Sequence, residues 1–124
     1  MAGGWPYDVP IHIGVRPVRD GAALVTVTGE IDIATVASLK AALAPLTADP
    51  TVRLLVCDLS EVSFFGCAAM SVLLDARAAL IRRGARLRLV ATRRLVIRPL
   101  AVMRLLDVLP VSPDVHTALH ERRP

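Results

Sequence analysis

The chain has 124 residues, enough for one domain and too few for two ordinary ones. It is 54% hydrophobic and 21% charged, which excludes intrinsic disorder, and no apolar run nears the ~18 residues that span a bilayer. The net charge of +4 is uneven: residues 1–63 carry four bases against seven acids, whereas Arg77 to Arg104 holds nine arginines and no acid.

Residues 1–10 have two glycines and two prolines and form a loose lead-in. They lack a basic start and an apolar h-region, so no signal peptide is expected and the cytosol is the expected compartment. A first edge strand is predicted over Ile11 to Val18. The β-branched run Ala23 to Thr28 predicts a second, ending at Gly29. Thr35 is placed as N-cap of a helix running to about Thr47. Val36, Leu39, Leu43 and Leu46 mark its buried face, and Asp49-Pro50 stops it. Val52 to Leu59 is nearly continuous in apolar residues, as in a strand covered on both faces. Asp58 and Ser60 are expected to turn the chain after it.

After Gly66, the residues Met70, Leu73, Leu74, Ala78 and Ile81 make a helical stripe. Arg82 and Arg83 suit the negative end of its dipole, and Gly84 suits the C′ position. Ala85 to Ala91 alternates as a strand. Leu95 to Leu106 predicts a third helix, with Pro99 required in its first turn. Pro110-Val111 is a short extended link, and a last helix is expected from Pro113 to Arg122, capped by Ser112. Residues 11–124 thus read as one α/β domain: a mixed, mostly parallel sheet of four to five strands packed with about four helices.

Two cysteines are too few for a secreted disulfide scaffold or a four-ligand structural zinc site. His12, His116 and His120 show no metal spacing, and no phosphate-binding, dinucleotide or serine-nucleophile motif is present. No catalytic residue, metal or cofactor is therefore expected. The arginine-rich half reads first as a solvated surface. All aromatics precede Gly66, so that half offers no ring on which a base could stack, which argues against nucleic acid.

Three segments carry a resemblance to a known family. They are Gly29-Glu30-Ile31-Asp32-Ile33-Ala34-Thr35, then Leu54 to Ser60 with Val62-Ser63-Phe64, then Gly84 to Val90 with Val96 to Val111. In order and spacing they resemble the STAS-domain family, the bacterial anti-sigma factor antagonists, over roughly residues 15–120. The resemblance implies a STAS-like fold. It also implies a partner that is an anti-sigma factor of the ATP-binding kinase type, acting in transcription regulation and stress response. In the family a serine at the start of the second helix is phosphorylated by that partner, and the unphosphorylated form binds it. A phosphate adds about −1.5 to −2 charges to the middle of a docking surface, which breaks binding.

This chain departs at that point. VSFFGCAAM places Gly66 at the family's acid, Cys67 at its phosphoacceptor, Ala68 next and Ala69 at its glycine. A serine kinase cannot modify Cys67, so the usual switch is expected to be absent; Ser63 and Ser71 are the nearest hydroxyls. The resemblance implies partner-binding residues Asp32, Ile33, Thr35, Gly66, Cys67, Ala68 and Ser71. Asp32 has an alternative role in local turn chemistry, and Asp58 in tying down its loop. Arg104 stands where the family often has glycine. Two other readings stay open: an accessory subunit of a lipid ABC transporter, and a thiol-based redox sensor in which Cys57 and Cys67 converge at a strand end and helix start. A homodimer also stays open; membrane insertion is not expected.

Overall fold

A computed structural model describes residues 11–121; the lead-in over residues 1–10 lies outside them. The elements run β1 (Ile11–Arg19), β2 (Ala22–Ile31), α1 (Val36–Ala48), β3 (Leu54–Phe65), α2 (Cys67–Ile81), β4 (Arg86–Val90), α3 (Arg94–Val102), β5 (Val111–Ser112) and α4 (Val115–His120). The five strands lie in sequence order. β1 is antiparallel to β2, and the rest are parallel.

Alternation along the strands divides the core. Ala23, Val25 and Val27 of β2, Leu55, Cys57 and Leu59 of β3, and Leu87 and Leu89 of β4 join Leu39 and Leu43 of α1, Leu73 and Leu80 of α2, and Val96 and Leu100 of α3. Their neighbours Ala22, Leu24, Leu54, Val56 and Val90 face the other way and pack with Ala118 of α4. Successive right-handed crossovers along a sequentially ordered sheet put α1, α2 and α3 on one face. That leaves the second face to the six-residue α4.

The structure corrects several boundaries. β3 does not turn at Asp58. Its carboxylate accepts from the Ser60 amide at 3.0 Å and the Ser60 hydroxyl at 2.6 Å, and the register against β2 slips there. The result is a bulge, and the strand resumes to Phe65. α3 starts at Arg94, so Pro99 is its sixth residue rather than part of its first turn. Arg93 fixes that start by donating to the Val62 carbonyl at 3.2 Å.

α3 also stops early, at Val102. Arg104 has φ 59°, its amide donates to Ala101, and the Leu105 amide donates to Leu100. This is the same closing motif that Gly84 makes after α2 at φ 80°, with Ala85 donating to Leu80. A side chain in the left-handed region is strained, and glycine there is not. Arg104→Gly is therefore expected to stabilise the fold by about 0.5–1 kcal/mol in urea unfolding.

Ser112 is not a cap. Its side chain is buried and donates to the Glu121 carboxylate at 2.9 Å. α4 is instead capped by Asp114, which accepts from the Thr117 amide at 2.7 Å; that bond holds the Asp114 carboxyl below the usual range. Arg83 does more than face its own helix dipole. It reaches across to α1 and donates to the carbonyls of Leu46, Thr47 and Val52 at 2.7–3.1 Å, closing the C-terminus of that helix.

Candidate docking site at the start of α2

Ile31 pairs with Phe65 at the end of the β2–β3 ladder, and the Gly66 amide donates to the Ile31 carbonyl at 3.3 Å. The turn after β2 and the first residues of α2 are thereby held side by side. This contact brings together the segments 32–35 and 66–71 that the sequence singles out.

The turn is built by Asp32 and Thr35. Asp32 Oδ1 accepts from the amides of Ala34 at 2.9 Å and Thr35 at 3.1 Å. The Thr35 hydroxyl donates to the Glu30 carbonyl at 2.7 Å and accepts from the Asp32 amide at 2.9 Å. Thr35 stands at the N-cap of α1, but its side chain makes no capping bond to the helix, because the hydroxyl is used up in the turn. It is also buried. Thr35 is therefore a lock for the turn and not a contact surface, which corrects its placement among the binding residues. Asp32 is half-buried, and its hydrogen bonds serve the turn.

What the turn presents is Ile33, 89% exposed at its tip. Beside it, α2 opens with Gly66 as N-cap, so no side chain caps the helix. Cys67 is exposed at the first helical position, Ala68 is half-buried, and Ser71 is exposed one turn further along the same stripe. Phe64 completes the group at 50% exposure. A Cβ at Gly66 would stand 3.1 Å from the Phe64 ring, so the glycine makes room for that ring.

The sequence reading missed Phe64 because it ended the strand at Leu59, whereas β3 runs to Phe65. In a strand, adjacent phenylalanines point to opposite faces, so one of Phe64 and Phe65 had to face outward. Phe65 is the buried one. The patch is thus apolar at its centre, and a thiol stands at its helix start.

The two cysteines do not converge. Cys57 pairs in register with Val25 and Leu89 in mid-sheet, whereas Cys67 lies beyond the far end of β3. At about 3.3 Å per residue the strand separates them by on the order of 20 Å, against a limit of about 7 Å for a disulfide. The redox-pair reading is corrected by this distance. Cys57 is fully buried in the core, and burial, with Asp58 adding to it, pushes its thiol up to about 12. It packs as a small hydrophobe. A thiol reagent near neutral pH should therefore modify one cysteine of the native protein, Cys67, and two after denaturation. Two fast-reacting thiols in the native state would contradict this placement.

His116 and His120 stack with ring centroids 4.3 Å apart on α4. Among the described residues no three His, Cys, Asp or Glu side chains stand close enough to hold a metal. No helix among them is long and apolar enough to cross a membrane.

The chain belongs to the STAS domain family, whose model matches residues 15–118. It is 36% identical over 106 residues to the anti-sigma-F factor antagonist RsfA of Mycobacterium tuberculosis, spanning 82% of this chain and 80% of RsfA. A crystal structure of an anti-sigma factor antagonist from Mycobacterium paratuberculosis matches with a TM-score of 0.80 at 31% identity, covering 88% of this chain and 91% of that one. The Bacillus cell fate determinant SpoIIAA in its phosphorylated form matches with a TM-score of 0.71 over 90% of this chain and the whole of that one. At 14% identity that likeness speaks to the fold alone.

Proposed function

We propose that this protein is an anti-sigma factor antagonist that binds an anti-sigma factor of the ATP-binding kinase type and lacks the usual phosphorylation switch. The reading rests on one observation: the bond from Gly66 to Ile31 holds side by side two segments that carry exposed Ile33, Phe64 and Cys67 and half-buried Ala68, where the β2–α1 turn meets the start of α2. The mycobacterial antagonists similar to the chain support the choice of partner.

The protein acts by presenting a surface and performs no reaction of its own. Apolar side chains held on a rigid turn and a helix start lose little freedom on docking, so their burial contributes to affinity. A phosphate in the middle of such a patch would end the interaction. Cys67 cannot carry a phosphate ester from a serine kinase, so binding persists in ATP.

The test incubates the protein with the anti-sigma factor of its own genome and ATP, then measures complex formation and intact mass. A stable complex with unchanged mass is the expected result. A gain of one phosphate overturns the claim about Cys67, and the absence of any complex overturns the choice of partner.

A further inference from the structure

We propose that a second surface, at the C-terminal end of α3, docks on an anionic lipid bilayer. Three apolar side chains project there: Val102 is 71% exposed, Met103 55% and Leu106 37%. The helix already commits Val96 and Leu100 to the core, so these three are not part of its buried face. Arg94, Arg98 and Val102 recur every four residues and share one side of the helix, and all three are exposed. Arg104 is exposed in the turn that follows, and Asp107 is the one acid close by in sequence.

Among the described residues the ion pairs are Arg88 with Glu121 and Arg93 with Glu61. Arg94, Arg98 and Arg104 therefore direct their charge outward. An acidic bilayer satisfies both features: guanidinium groups meet lipid phosphates while short apolar side chains enter the headgroup boundary.

Other acidic partners fit less well. A nucleic acid would use the arginines and leave Val102, Met103 and Leu106 in water, and no aromatic after Phe65 is available for stacking. A folded protein partner needs a shape-matched patch of about 800 Å² per side, whereas a fluid bilayer needs no shape match. The location also fits. α3 returns the chain toward the start of a parallel strand, so its C-terminal end lies away from the strand ends where Cys67 begins α2. Val102, Met103 and Leu106 therefore lie at the other end of the sheet from Cys67, with Arg98 between them and Arg94 at the start of the helix, and this proposal does not depend on the antagonist reading.

The test is sedimentation of the full chain with phosphatidylcholine vesicles, with and without phosphatidylglycerol. Several-fold more protein should pellet with the anionic vesicles, and high salt should release most of it. Arg94→Gln and Arg98→Gln should each lower association about fivefold. Val102→Ser combined with Met103→Ser should lower it at least as much without changing the melting temperature, since both sites are exposed. Equal pelleting with the two compositions overturns the proposal. So does loss of binding in the arginine variants but not in the serine variant, or retention on duplex DNA at a salt concentration where vesicles no longer hold the protein.

Discussion

Replacing Glu121 with alanine is expected to destabilise the protein by about 2–4 kcal/mol, measured as a drop in urea midpoint at unchanged slope. Glu121 follows α4 and reaches back to β4, where its carboxylate meets the Arg88 guanidinium and the Ser112 hydroxyl. Arg88 is 2% exposed, the largest fully buried side chain of the described residues. It lies on the face of β4 that α4 covers, level with Val56 of β3.

Removing the carboxylate takes the Glu121 counter-charge away from a cation held in low-dielectric surroundings, so less of its desolvation is offset. Glu121 itself is 36% exposed, so water screens part of the interaction; the expected loss therefore sits below the top of the range for fully buried pairs. Replacing both partners should recover most of it. Arg88→Met with Glu121→Leu exchanges the ion pair for apolar packing, which is commonly neutral or better. A single Glu121→Ala variant as stable as the parent would show that the pair contributes nothing.

The second large effect is on binding. Cys67→Asp is expected to weaken the complex with the anti-sigma factor at least about thirtyfold, roughly 2 kcal/mol, while leaving the fold intact or slightly more stable. The two effects separate for a physical reason. A carboxylate at the first position of α2 interacts favourably with the helix dipole, worth about 0.3–1 kcal/mol. The same charge stands at the helix start beside the turn that carries Ile33, on the proposed docking surface, where a partner's apolar groups would have to desolvate it. Titration calorimetry gives the affinity and thermal melting gives the stability. Cys67→Ser, titrated without ATP so that it stays unphosphorylated, serves as the control and should bind like the parent, because it changes neither charge nor size appreciably.

The alternation of strand and helix, the mostly parallel sheet and the buried stripe of α1 were legible because burial imposes periodicity; the expected stripe of α2 holds only in its first half, since Ala78 and Ile81 are exposed and Ala76 and Leu80 are buried in their place. Leu39 and Leu43, and Met70 with Leu73, fall where that periodicity puts them. The ends of elements were not legible, since contacts distant in sequence decide them. Asp58 and Ser60 have turn chemistry, but pairing with β2 carries the chain past them to Phe65. Ser112 has cap chemistry, but Glu121 takes its hydroxyl inward. Thr35 occupies the cap position, but its hydroxyl goes to Glu30. Arg83 suits its own helix end, yet its three bonds go to carbonyls more than thirty residues earlier. In each case a side chain with an adequate local role is recruited by a tertiary partner.

The candidate site followed the same pattern. Its two segments were readable, their meeting through the bond from Gly66 to Ile31 was not, and Phe64 became visible only once β3 was seen to run its full length.

The most direct test of the docking surface is to titrate the unlabelled anti-sigma factor into isotope-labelled protein and follow each backbone amide by NMR. The largest shifts should gather at Asp32 to Ala34 and Phe64 to Ser71. A complex that forms while those amides stay still, with the changes gathered elsewhere, would contradict the account.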